Sequence, residues 1–238
     1  MPRRGRSAPG GRVYHVLNRA NGRRTLFRKP ADYAAFERVL EQAVEHTTMR
    51  VLGWCLMPNH WHLALWPEAD GQLSQFMRWL TVTHAQRLHA HRRDGAGGHV
   101  YQGRFKSFPV QEDHQFLVMM RYVERNALRA KLVERAEDWQ WCSLWRRERG
   151  DAAARKILTE WPVRRPANWV RIVNAEQDQA EEKSVQTSIE RSRPLGSPKW
   201  LEKTIANMGL EWTMRPRGRP RVRPEVIKDS RPLFRSSQ

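Results

Sequence analysis

His60 and His62 flank Trp61 in the sequence, and on a strand the period of two sends both imidazoles to one face and the indole to the other. Neutral histidine is the commonest side-chain metal ligand, so a pair held this way can share one divalent ion. The spacing alone also describes a solvated pair or a core pair. A second group of chemical residues lies further along. Tyr122 and Asn126 are four positions apart, which on a helix stacks them one turn apart on the same face and makes a nucleophile and an oxygen ligand neighbours.

Tyrosine attacks phosphorus only after losing its proton, and with a reference pKa of about 10 it needs a nearby cation or base at neutral pH. A bound metal would draw electron density from the phosphate and offset the charge building on its oxygens. Arg121, Arg125 and Arg129 recur at four-residue spacing on the adjoining strip of the same helix, where they could hold a DNA backbone. The bland reading makes Tyr122 a half-buried packing residue and the three arginines a solvated face. Among the other tyrosines, Tyr14 falls in a core-like strand, Tyr33 in an apolar helix stripe and Tyr101 beside a Gly-rich turn, so only Tyr122 has an amide one turn away.

The elements that must position these groups are legible from periodicity and turn residues. Residues 14–19 read as a first strand, closed by the Asn21-Gly22 turn, and residues 32–47 as a helix with Tyr33, Phe36, Val39, Leu40 and Ala43 on its buried stripe. Two apolar runs within 50–66, parted by Pro58-Asn59, predict a β-hairpin with His60 at the start of its second strand. A helix over 73–91, a Gly-rich break at 95–98, a strand over 105–110 and a helix from Glu112 follow, the last burying Phe116, Met120, Val123 and Ala127. This order predicts an α+β sandwich with helices on one side of a mainly antiparallel sheet.

The totals point to the partner. Lys and Arg number 43 against 25 Asp and Glu, a formal charge of +18 that calls for a polyanion such as nucleic acid. No run approaches about 18 consecutive apolar residues, which argues against a membrane partner, and no apolar stretch follows the basic N-terminus, so the expected location is cytoplasmic and nucleoid-associated. Cys55 and Cys142 are the two cysteines, too few for a four-cysteine zinc site, and they read as buried free thiols.

Several segments together resemble one family. Trp54-Cys-Leu-Met-Pro-Asn-His-Trp-His-Leu-Ala-Leu-Trp-Pro67 is similar to the metal-binding segment of the REP-associated tyrosine transposases, single-tyrosine members of the HUH class. The likeness continues through Gly71 to Leu80, Tyr101-Gln-Gly-Arg-Phe-Lys106, Arg121-Tyr-Val-Glu-Arg-Asn126 and Glu137-Asp-Trp-Gln-Trp-Cys142, spanning roughly residues 12–148. The sequence departs from the family's frequent Asn-Pro-Val-Arg-Ala-Gly-Leu pattern, reading Asn126-Ala-Leu-Arg-Ala-Lys-Leu132, with no proposed chemical group lost.

The resemblance implies a ferredoxin-like HUH domain over 1–148, with His60, His62 and Asn126 as metal ligands and Tyr122 as nucleophile. The implied reaction is metal-assisted transesterification of single-stranded or hairpin DNA, leaving a 5′-phosphotyrosine and a free 3′-hydroxyl, in a monomer or homodimer. Phosphate, water and an amide oxygen favour Mg²⁺ or Mn²⁺, although two histidines also admit Zn²⁺. Arg104 and Lys106, within the matching Gly-Arg-Phe-Lys stretch, join Arg121 and Arg125 as expected phosphate contacts. Residues 149–238 are expected to be a basic C-terminal extension, a small helical appendage with loose segments. It ends in an arm where Arg215, Arg217, Gly218 and Arg219 resemble an AT-hook for the minor groove, with nonspecific phosphate binding as the rival. Two other functions stay open at this point: a metal-dependent nuclease that uses water, and a sequence-specific DNA-binding protein without catalysis.

Overall fold

The computed structural model describes residues 8–92 and 98–215. Four strands, β1 (Val13–Arg19), β2 (Arg50–Met57), β3 (His60–Trp66) and β4 (Lys106–Val110), form one antiparallel sheet in the order β2-β3-β1-β4. Helices α1 (Pro30–Thr47) and α2 (Gln72–Arg92) supply the crossovers, giving the ferredoxin-like β-α-β-β-α-β order. Pro30 opens α1 two residues before the expected start, since proline is tolerated in a first helical turn, and Asp32 Oδ2 accepts from the backbone amides of Arg28 (2.7 Å) and Lys29 (3.3 Å). Among the described residues no helix is long and apolar enough to cross a membrane.

Alternation along the strands builds two cores. Tyr14, Val16, Trp54, Trp61, Leu63 and Leu65 face α1 and α2, where they meet Phe36, Leu40, Phe76 and Leu80. Val13, Leu52, Cys55, Ala64, Phe108 and Val110 point to the other face. An apolar second face cannot be left to water, and it is covered by α3 (His114–Glu124), α4 (Asn126–Arg129), α5 (Ser143–Arg149) and the elements after them. Helices therefore cover both sides of the sheet, where the sequence pattern predicted one. Cys55 and Cys142 are buried and free, as expected.

The later elements are α6 (Ala152–Arg155), α7 (Trp169–Asn174), α8 (Gln179–Arg191) and α9 (Pro198–Met208). In place of loose segments, the described part of the extension packs closely. Trp161, Trp169, Val173, Val185 and Leu195 join Phe116, Met119 and Val123 in the second core. It also blunts both edges of the sheet. The Thr159 amide donates to Val51 O (2.8 Å) beside the outer strand β2, and Leu195 exchanges backbone hydrogen bonds with Pro109 and Gln111 (2.9 Å each) at the end of β4. Residues on either side of position 149 thus share one core.

Two local features set α3 against the sheet. Asp113 caps it, with its carboxylate accepting from the Gln115 amide (2.8 Å), so the helix begins at His114 rather than at Glu112. Gly53, at an irregularity in the β2–β3 register, lets the helix approach closely. A Cβ there would come within 2.5 Å of Met120 Cε and 2.7 Å of Ser143 Oγ.

Candidate active site between the sheet and the third helix

His60 and His62 project from β3 toward the second face while Trp61 is buried in the first core, as the alternation predicts. Their rings lie 5.1 Å apart at 80°. The turn before the strand fixes the first, because Asn59 Oδ1 lies 2.6 Å from His60 Nδ1. A partner absent from the sequence reading fixes the second. His15 on β1 places Nε2 at 2.9 Å from His62 Nδ1, with the two rings stacked at 5.0 Å.

Electrostatics keep all three imidazoles neutral. Burial holds His62 well below the ordinary histidine pKa, helped by the neighbouring histidines, Arg129 and Arg19. Burial lowers His60 to about 4, with Arg19 and Arg129 adding to the shift, and lowers His15 to about 3. A neutral imidazole has one donor and one acceptor nitrogen. With both Nδ1 atoms engaged by Asn59 and His15, the Nε2 atoms of His60 and His62 are the ones left for a ligand. Within the His15–His62 bond, only the tautomer in which His62 Nδ1 donates leaves a lone pair on His62 Nε2.

Tyr122 is 6% exposed and sets its ring edge to face with His62, at 6.1 Å and 76°. Its neighbour Asn126 opens α4 just after α3 ends, and Asn126 Nδ2 donates to Tyr122 O (3.1 Å). The short break between the helices therefore keeps the one-turn relation expected from spacing. Arg129 ties the pair together. Its guanidinium lies 4.1 Å from the centre of the Tyr122 ring, and Nη2 donates to Asn126 Oδ1 at 2.7 Å.

Tyr122 also lines a cavity of about 510 Å³ with Asn18, Arg19, Arg104, Lys106 and, from α8, Gln186. Two expected phosphate contacts, Arg104 and Lys106, thus share an opening with the tyrosine. Arg121 and Arg125 are engaged elsewhere. Arg121 Nη2 donates to the carbonyls of Ala175 (3.1 Å) and Glu176 (2.8 Å), and Arg125 Nη1 to those of Val173 (2.9 Å) and Asn174 (2.8 Å). These guanidinium groups satisfy the open carbonyls at the end of α7 and so dock the extension. Arg215 is exposed at the end of the described chain, and Arg217, Gly218 and Arg219 lie outside the described residues.

Sequence reading missed His15, Arg129's central place and every contribution of α8. Alternation on β1 signals that His15 and Leu17 share a face, but the register that sets Leu17 opposite His62 is a tertiary fact. Among the described residues no three His, Cys, Asp or Glu side chains gather as a metal donor set.

Comparison with known proteins bears on the fold and on the family that the chain resembles. No curated protein matches the chain. The solved structure of a REP-associated tyrosine transposase bound to a REP hairpin superposes with a TM-score of 0.52 at 16% identity, covering 75% of this chain and 92% of that one. A crystal structure of a candidate transposase from Deinococcus radiodurans R1 gives a TM-score of 0.38 at 17% identity, covering 52% of this chain and 96% of that one. The family model described as "Transposase IS200 like" matches residues 11–126, a span that includes His60, His62, Tyr122 and Asn126. That segment, from β1 to the first residue of α4, is similar to the IS200-like transposases.

Proposed function

We propose that this chain is a transposase that cuts and rejoins single-stranded DNA through a covalent bond between Tyr122 and a 5′-phosphate. The observation that carries the reading is one constellation within one chain. Tyr122 contacts His62 and Arg129, two neutral histidines keep Nε2 unengaged, and the tyrosine opens into a cavity shared with Arg19, Arg104 and Lys106.

Two imidazole nitrogens and the Asn126 amide oxygen, which also accepts from Arg129, would form a donor set that suits Mg²⁺ or Mn²⁺ once phosphate and water complete the shell. Such an ion would supply Lewis-acid polarisation of the phosphate. The protein's own groups do the rest. Tyr122 Oη gives up its proton to solvent or base and forms the O–P bond; the P–O3′ bond breaks, and the departing oxygen takes up a proton to become a 3′-hydroxyl. The reverse sequence rejoins strands. Arg104 and Lys106, which line the cavity beside Tyr122, would hold flanking phosphates, and Asn126 Nδ2 fixes the side-chain amide against Tyr122 O.

The hairpin bound in the similarly folded REP-associated transposase motivates the same substrate class here. Incubating the full chain with single-stranded imperfect hairpins from DNA flanking its gene, labelled at either end, tests both chemistry and polarity. In Mg²⁺ or Mn²⁺ the 3′-end label should shift with the protein on a denaturing gel and the 5′-end label should be released on a free strand. Multiple-turnover cleavage without an adduct would replace this reading with a water-using nuclease, and binding without cleavage would replace it with a DNA-binding protein.

A further inference from the structure

The C-terminal extension reaches Arg129, the cation that packs on the proposed nucleophile, through Glu182. Glu182 on α8 accepts from Arg129 Nη1 (2.8 Å) through Oε1, and the same oxygen accepts from Gln186 Nε2 (3.0 Å), one helical turn on. Arg129 is thereby pinned on three sides: Glu182 at Nη1, Asn126 Oδ1 at Nη2 and the Tyr122 ring against its face. A guanidinium carries further N–H donors beyond these two, in a rigid planar fork matched to phosphate oxygens.

We propose that Glu182 is a positioning residue for strand cleavage, holding the Arg129 guanidinium against Tyr122 and Asn126, where that cation receives the scissile phosphate. The inference rests on Tyr122 being the nucleophile. It makes the extension part of the active site. Arg121 and Arg125 dock the α7–α8 segment by its carbonyls, and Glu182 then sets the cation that faces the reacting phosphate.

Exposure separates this role from a stabilising one. The Arg129 and Glu182 side chains are 32% and 27% exposed, and ion pairs open to solvent contribute little to folding. Orientation matters far more to reaction than to stability, because a misplacement of about 1 Å can cost a hundredfold in rate. Glu181, adjacent on the same helix, is a built-in control, since it faces Arg121 (3.7 Å) and His114 (3.9 Å) and not Arg129.

The test compares the full-length wild type with Glu182→Gln, Arg129→Lys, Arg129→Ala and Glu181→Gln. It measures the single-turnover rate of adduct formation on a flanking-DNA hairpin, melting temperature, and hairpin Kd in a Tyr122→Phe background with chelator. Glu182→Gln should slow adduct formation roughly tenfold, with Kd and melting temperature unchanged. Arg129→Ala should slow it about a hundredfold and reduce the slope of log Kd against log salt by about one, with partial recovery in Arg129→Lys. Glu181→Gln should match the wild type. A wild-type rate in Glu182→Gln, an equal loss in Glu181→Gln, or a rate loss that tracks Kd or melting temperature would overturn the positioning role while leaving Tyr122 as nucleophile. A wild type that forms no adduct would overturn both.

Discussion

The two faces of the sheet are built from the same strands and do opposite things. On β3 the odd positions Trp61, Leu63 and Leu65 enter a core closed by α1 and α2, while at the even positions His60 sets its ring against His62, and His62 meets Tyr122 and His15. On the first face, Trp61 Nε1 is paired with Tyr101 Oη (3.3 Å) and His84 Nδ1 with the same oxygen (2.7 Å). The second keeps uncommitted imidazole nitrogens and a cation beside a tyrosine, and leaves His15 Nδ1 buried without a partner. Both faces carry a core, but the candidate chemistry lies on one of them, with strand alternation as the divider.

Substitutions on the two faces should therefore separate folding from reaction. Trp61→Ala removes a fully buried indole from the first face and should cost about 3–5 kcal/mol in urea unfolding. The fraction that remains folded should keep its rate of adduct formation. A mutant of wild-type stability that reacts slowly would break the division. On the opposite side of the same strand, His62→Ala should slow adduct formation by at least about a hundredfold, since even residues that support metal ligands cost about ten- to a hundredfold when removed. Calorimetry should show much weaker Mn²⁺ binding; unchanged Mn²⁺ affinity would remove His62 from the donor set.

A smaller effect is expected at His15. His15→Leu keeps a buried side chain of similar bulk but leaves His62 Nδ1 unpaired, and it should raise the Mn²⁺ concentration needed for half-maximal adduct formation about tenfold. An unchanged requirement would limit His15 to packing.

The smallest effect concerns acid. His84, buried on the first face, has its pKa lowered from 6.5 to about 4 by burial and by Arg92. Between those values the unfolded chain takes up a proton that the folded chain does not, so stability falls as pH drops from 6.5 toward 4 and levels off below. At pH 5.5 the wild type should have lost about 1.4 kcal/mol at this site relative to pH 7.5. A His84→Asn variant should lose correspondingly less across the same interval, whatever its stability at pH 7.5. Equal losses in the two proteins would mean that His84 is not held neutral.

Much of the division was legible in the sequence because it follows from period two. The Pro58-Asn59 turn fixes where β3 begins, and the alternation then places His60 and His62 together and Trp61 apart. The four-residue spacing of Tyr122 and Asn126 survived a helix break that spacing could not reveal. What escaped was tertiary. His15 is an ordinary strand residue until the β1–β3 register sets it diagonal to His62. Trp161, Trp169, Val173, Val185 and Leu195 are scattered among Pro, Arg and Glu, so no period announces the layer they complete. Arg121 and Arg125 looked like DNA contacts because composition gives the sign of a charge and not its partner; here those partners are backbone carbonyls more than 45 residues away in sequence.

The most direct measurement is peptide mass mapping of the protein after reaction with a single-stranded flanking hairpin in Mg²⁺ or Mn²⁺, for the wild type and Tyr122→Phe. Nucleotide mass on the peptide containing Tyr122, with neither adduct nor strand cleavage in Tyr122→Phe, is the expected result. Cleavage that persists in Tyr122→Phe, or an adduct on any other residue, would contradict the assignment of Tyr122 as the group that breaks the strand.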